Sequence, residues 1–443
     1  MSNPIPTLRE IRKACELGPL RGPELDAFWV DTDAARDPLR SVRDSLRALL
    51  GDRDDCKILF YGHSGSGKST ELNKLVDELG PDWFVVGFSV RDEMSLTEIN
   101  SEDIVLVLME RLAAAAAAAK PPIAIDLEAL GAIHHWFDTV SQERQETDAR
   151  AGRIEAGVQA RTPSLLDIVK LFASFKAEVR YEASNKQTRV ERIRRRPGEL
   201  LAWSNRLIAA VRNGLAGRHL LFMVEDLDKL DIATARQVFF LRPTMLTGLD
   251  ASVVYTIPIF AFHSPEAGLL RTQFHRVVSL PMIKVAGPRG EPAEGSRVVE
   301  KIVLRRLGAS ALTSEALELL IEKTGGVLQH AFEVIVGATL LRDAPVPLEV
   351  EQIRYSLQRR KNEFLTEITL PYNEVEGLKY RKQLFDRLRE CLDHQRAGKP
   401  GRPTGEGIDQ VLLKSCALVE YNGDCWLGVH PLVQDLLDED PAL

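Results

Sequence analysis

Short blocks of consecutive apolar residues, each closed by glycine, proline or acidic side chains, recur along the chain and predict buried strands at residues 57–61, 82–90, 219–226, 251–258 and 277–281. Between them the spacing turns helical. Residues 38–50 and 71–76 read as amphipathic helices, and residues 101–112 as another that the alanine run 113–119 prolongs. Strands that alternate with helices in this way predict an α/β fold with helices flanking a parallel sheet. Phe28-Trp29-Val30 reads as one more short strand after a polar N-terminal arm.

Residues 142–197 break this rhythm, being polar, charged and poor in β-branched runs. They read as part of a helical, charged insertion (91–215) between two strands of the sheet. Within it Leu165, Leu166, Ile168, Val169, Phe172 and Phe175 form a stripe that serves as core or as a docking face. Arg189, Arg192, Arg194, Arg195 and Arg196, interleaved with Glu191, read as a solvated helix face, with phosphate contact as the alternative.

Gly62-His63-Ser64-Gly65-Ser66-Gly67-Lys68-Ser69-Thr70 fits the pattern G-x-x-x-x-G-K-[ST] and lies between a predicted strand and a predicted helix. Its glycines let the backbone wrap a pyrophosphate with N–H groups turned inward, and the helix opening at Lys68 adds the positive end of its dipole. Lys68 is the cation for the β- and γ-phosphates, and the Ser69 hydroxyl is a ligand for Mg²⁺. ATP and Mg²⁺ are therefore the expected cofactors.

Residues 219–226 form an apolar strand that ends in two carboxylates, as a strand must if acids are to reach a metal ion and an attacking water beside that loop. One register assigns Glu225, with Ser69, to the metal and makes Asp226 the catalytic base. The other gives Asp226 to the metal and Asp228 to the water. Thr256, near the end of the strand at 251–258, is placed as a sensor of the γ-phosphate. Arg271 and Arg276 either reach the nucleotide of a neighbouring subunit or pair with surface acids.

At 443 residues the chain holds two or three domains, and its 44% hydrophobic and 27% charged content is that of an ordinary globular protein. A formal net charge of −7 argues against a general nucleic-acid coat while leaving room for a local basic patch. Cys15, Cys56, Cys391, Cys416 and Cys425 form no C-x-x-C pair and read as free thiols. The start of the chain lacks a signal-peptide layout, and the apolar run 253–262 is too short for a bilayer and contains Pro258. A cytoplasmic protein without membrane contact is expected.

Taken together, residues 62–70, 221–230, 254–258 and 325–330 resemble the AAA+/STAND division of P-loop ATPases, in particular bacterial KAP-like and origin-recognition-like ATPases. The resemblance covers roughly residues 25–345. It implies an ATPase core (27–290) after an N-terminal arm (1–26), then a helical lid (291–365) with helices at 300–307, 314–324 and 328–342. It also implies a homo-oligomer, a protein partner and a setting such as bacterial defence. In the family a sensor arginine follows the Gly-Gly turn of the lid. Here Gln329 and His330 follow Gly325 and Gly326, with Arg342 as a nearby substitute, so slow hydrolysis or a nucleotide-gated switch is expected rather than a fast motor.

Residues 366–443 are expected to form a winged-helix-like domain, with helices at 378–394 and 405–415, a hairpin at 418–429 turning on Asn422-Gly423, and a closing segment at 430–437. Such a unit binds DNA or packs on the lid. Its acidic balance favours packing, and the basic loop 395–403 is the exception. A switch ATPase is thus the leading expectation, with a DNA-binding loader or remodeller and a nucleotide-stabilised, non-enzymatic scaffold as alternatives.

Overall fold

The computed structural model describes residues 6–96, 99–123, 195–287, 290, 291, 293–370, 378–399, 401–421, 426–441 and 443, with scattered positions between 131 and 177. Five strands, β1 (Lys57–Gly62), β2 (Trp83–Ser89), β3 (His219–Glu225), β4 (Ser252–Pro258) and β5 (Arg276–Ser279), pair in parallel in the order β2-β3-β4-β1-β5. β1 thus runs between β4 and β5 while the next strand in sequence lies at the far edge. The chain order reverses at β1, and in parallel sheets such a reversal opens a crevice at the C-terminal ends of the strands.

The period-2 alternation of side chains divides each strand between two cores. Leu59 and Tyr61, Phe222 and Val224, and Val253, Tyr255 and Ile257 face the layer that includes the helices Ser101–Ala118 and Pro197–Asn213. Ile58 and Phe60, Leu221 and Met223, and Val254 face the opposite layer, where Leu46 and Leu50 of the helix Val42–Gly51 and Leu72 and Leu75 of the helix Lys68–Leu79 cover them. Burying a side chain of this kind contributes about 1.5–3 kcal/mol, so the sheet is a rigid platform for the loops at its edge.

Phe28-Trp29-Val30 is not a strand. Pro23 opens a short helix, Pro23–Phe28, with Glu24 and Asp26 in its first turn, and Trp29 ends it by donating its N–H to the Leu25 carbonyl at 3.0 Å. The Trp29 ring then receives the Arg43 guanidinium, 4.5 Å from its centroid. The N-terminal segment is tied down rather than trailing: the Leu20 N–H donates to Thr70 Oγ1 at 3.3 Å, and Arg305 of the lid donates to the Ala27 carbonyl at 2.6 Å.

The region expected as the lid contains the helices Glu294–Leu307, Ser314–Thr324 and Leu328–Thr339, and a fourth, Val350–Glu367, beyond the expected three. The C-terminal module consists of the helices Arg381–Arg396 and Gly407–Lys414, an antiparallel pair β6 (Leu418–Tyr421) and β7 (Trp426–Val429), and the helix Pro431–Glu439. It packs on the lid through Lys323 to Asp435 at 3.0 Å and Lys361 to Glu439 at 2.6 Å. The hairpin tip with Asn422-Gly423, Cys425, the positions Leu165, Ile168, Phe172 and Phe175 of the expected stripe, and Arg189, Arg192 and Arg194 lie outside the described residues. Cys15, Cys56, Cys391 and Cys416 are buried free thiols. Among the described residues no helix is long and apolar enough to cross a membrane.

Candidate functional site

The loop between β1 and the helix Lys68–Leu79 emerges at the reversal point of the sheet. Gly65 and Gly67 adopt φ of +72° and +97°, left-handed values that a side chain would strain. Gly65 is needed for space as well: a Cβ there would stand 2.5 Å from Cβ of Gln329 on the lid. Gln329, in the expected sensor position, therefore lies directly against the 62–70 loop.

A cation seats this loop from below. Arg36 is buried and donates to the Ser66 carbonyl at 2.6 Å, to Thr32 Oγ1 at 2.8 Å and to the Pro281 carbonyl. Burial pulls its pKa down to about 10 against the opposing pull of Glu71 and Asp33. Nothing in the local sequence marks Arg36, because apart from Thr32 its partners are backbone carbonyls from two other segments.

Lys68 Nζ donates to the carbonyls of Gly62 at 3.0 Å and His63 at 2.7 Å, and lies 2.8 Å from Asp228 Oδ2. Glu225, the last residue of β3, is hydrogen-bonded to the Ser69 side chain; burial raises its carboxyl above the ordinary range, and the Ser69 bond and the charge of Arg21 oppose that rise. Asp226 follows with φ of +64°, which turns the chain out of the strand. Its carboxylate meets Ser89 Oγ and Lys229 Nζ, each at 2.6 Å. Burial alone would raise it, but those two hydrogen bonds prevail and hold it below the usual carboxylate range. The turn Leu227–Lys229 then brings Asp228 back over Lys68. Of the three acids, Glu225 and Asp228 face the loop, and Asp226 faces the end of β2.

Thr256 is fully buried and braces that turn: its Oγ1 accepts the Leu227 N–H at 3.2 Å and donates to the Val224 carbonyl at 3.4 Å. Arg271 is exposed and lies over the Phe262 ring at 5.0 Å. Arg276 opens β5 opposite Ile58, at the end of the sheet away from the loop, and donates to the His275 carbonyl at 2.8 Å. The structure therefore joins residues 62–70 with Glu225 and Asp228, holds Asp226 and Thr256 one layer behind, and leaves both arginines outside the group. Arg342 is exposed beside Asp343, away from it.

Lid and module converge on the same place. Gln329 Nε2 donates to Glu333 at 2.8 Å, and His330 lies between Arg360 Nη2 at 2.9 Å and His430 Nε2 at 3.1 Å. Burial, with His430 and Arg360 adjacent, keeps His330 well below its ordinary pKa. Arg360 is thus the buried guanidinium at the lid turn, supplied by the helix Val350–Glu367 rather than by the Gly-Gly turn itself.

Ser69 and Glu225 together offer the hydroxyl and carboxylate oxygens that suit Mg²⁺, whose remaining positions are usually filled by water and phosphate. No cluster of three or more His, Cys, Asp or Glu that would hold a metal unaided occurs among the described residues. A glycine-cradled loop, a lysine donating from the first turn of its helix and a strand-end acid on the following hydroxyl belong together at the reversal point of this sheet. The chain has a P-loop NTPase fold.

No protein-family model matches the chain, and no curated protein does. Among solved structures it is similar to the ORC2 protein of Aeropyrum pernix in ADPNP–ADP complexes (TM-score 0.35, 13% identity, covering 91% of this chain and 93% of that one). Another is Cdc6p from Pyrobaculum aerophilum (TM-score 0.31, 12% identity, covering 93% and 98%). Likeness at this level carries no argument, so the fold rests on the strand order and the loop that β1 delivers.

Proposed function

We propose that this protein binds ATP with Mg²⁺ and hydrolyses it slowly, as a switch whose nucleotide state governs self-association and engagement of a protein partner. The observation that carries this reading is the junction of Lys68, Ser69, Glu225 and Asp228 at the C-terminal end of β1 and β3. Lys68 is held by carbonyls and one carboxylate, partners that a polyphosphate would replace. Ser69 and Glu225 would hold the Mg²⁺, which when bound supplies charge neutralisation between the β- and γ-phosphates.

Slow turnover is favoured by the neutral Gln329 against Gly65, where a guanidinium would stabilise charge developing on the γ-phosphate. The lid cation, Arg360, is engaged with Glu367 through two contacts at 2.9 Å. Asp226, restrained by Ser89 and Lys229, is the proposed water-activating acid in one register and Asp228 in the other. Phosphate release by the purified chain with MgATP, compared with Lys68→Ala, tests the reading: a slow, Lys68-dependent rate supports it, and equal rates in the two proteins refute it.

A further inference from the structure

Glu420 is a carboxylate in the middle of β6, a strand whose other residues, Leu418, Val419 and Tyr421, are buried and apolar. A buried acid is costly unless every oxygen is partnered, and a leucine would fill a purely structural position. Glu420 is instead satisfied entirely by the ATPase core. Its N–H donates to His63 Nε2 at 2.8 Å, and its carbonyl accepts the Met282 N–H at 3.0 Å. One carboxylate oxygen accepts the Tyr61 hydroxyl at 3.2 Å, and the other lies 2.5 Å from His263 Nε2.

Two of those partners are part of the phosphate-binding loop and its approach. Tyr61 is the penultimate residue of β1, its ring stacked on Phe262 at 4.5 Å, and His63 is the second residue of the loop. The His63 ring is fully buried and meets the module again through a hydrogen bond to the Leu413 backbone and Cys416 Sγ 3.7 Å away. Burial and the nearby Lys68 charge hold it down to about 3, so Nε2 stays an acceptor for the Glu420 N–H. On the opposite side the His63 carbonyl takes Lys68. His63 is thus gripped by the module through its ring and by the phosphate-binding lysine through its backbone.

We propose that Glu420 is a positioning residue of the nucleotide site: from the C-terminal module it fixes Tyr61 and His63, so that nucleotide occupancy of the loop and docking of the module stabilise one another. The inference rests on the loop being a nucleotide site. A phosphate that draws Lys68 away from the His63 carbonyl alters one side of a residue whose other side is bonded to β6. Coupling of this kind is reciprocal and commonly amounts to about 5- to 150-fold in affinity.

The test uses the whole 443-residue chain with MgADP as the probe. Glu420→Ala is expected to weaken MgADP binding by a factor in that range. Glu420→Gln, which keeps an acceptor for Tyr61 and a polar partner for His263, is expected to restore most of the loss. In the unaltered chain, MgADP should slow hydrogen exchange of the 418–421 amides, a readout that holds even if Glu420→Ala fails to fold. Absence of MgADP binding by the unaltered chain would overturn the nucleotide-site reading itself. MgADP binding with no change of exchange at 418–421, or with equal affinity in Glu420→Ala, would overturn the coupling alone.

Discussion

Lys68 Nζ and Asp228 Oδ2 are 2.8 Å apart, and the two side chains are only 5% and 7% exposed. Removing one partner of a buried pair leaves the other charge uncompensated, at about 3–5 kcal/mol. Lys68→Ala should therefore lower the thermal midpoint as well as nucleotide affinity. Lys68→Met combined with Asp228→Asn should recover the midpoint but not the affinity. A thermal scan beside a nucleotide titration separates the two effects; recovery of affinity in the double variant would show that Lys68 does not meet the phosphates.

Glu225 gives a pH-dependent prediction. Burial raises its carboxyl above 4.5, so the folded state binds more protons than the unfolded chain between 4.5 and the raised value, and stability falls as pH rises through that window. Glu225→Gln should hence be more stable than the unaltered chain at pH 7, with the advantage vanishing below 4.5, and should bind ATP with little dependence on Mg²⁺. Paired unfolding curves at pH 4 and pH 7 check the sign. A stability difference that grows on acidification would contradict it.

Asp226 is held by Ser89 and Lys229, whereas Asp228 is held by Lys68. If Asp226 activates water, Asp226→Asn should retain ATP affinity and lose about a hundredfold or more in turnover, the usual contribution of a general base. Ser89→Ala should alter turnover with unchanged affinity. Single-turnover kinetics decide the register: full activity in Asp226→Asn and none in Asp228→Asn would assign the role to Asp228.

Arg271 and Arg276 stand apart from the loop of their own chain, as a residue acting on a neighbouring subunit would. ATP should promote oligomers, and alanine at either arginine should reduce turnover in the assembled state while leaving ATP affinity intact. Light scattering with phosphate release across protein concentration tests this. A monomer under all nucleotide conditions, with both variants fully active, would rule it out.

Of the three cations in the basic loop of the C-terminal module, Arg396, Lys399 and Arg402, Arg396 is paired with Asp438 at 2.6 Å. Two or three phosphate contacts give a small salt slope and weak binding. The full chain should show no sub-micromolar affinity for duplex DNA at physiological salt; tight binding lost on neutralising Arg396, Lys399 and Arg402 would favour the DNA-acting alternative.

Much of the sheet was legible because period-2 burial leaves an unbroken apolar run when both faces are covered, as in β1, β3 and β4. The loop 62–70 was legible because its glycines serve local backbone geometry. The helix Val350–Glu367 was not, since its buried face includes Ser356, Arg360 and Lys361, which interrupt the apolar period. Phe28-Trp29-Val30 misled for the opposite reason: its apolar side chains pack singly around a helix end and a guanidinium. Arg36, Asp228 and Glu420 owe their roles to partners distant in sequence, and only the folded chain brings them together.

Residues 62–70 are expected to bind a nucleoside triphosphate through Lys68. Equilibrium dialysis of the full chain against MgATP, with Lys68→Met/Asp228→Asn as the folded control, tests it most directly. Saturable binding at one site per chain, weakened at least about tenfold in the control, is the expected result, since a charge-assisted contact contributes about 1.5–3 kcal/mol. Equal affinity in both proteins, or no binding by the unaltered chain, would contradict it.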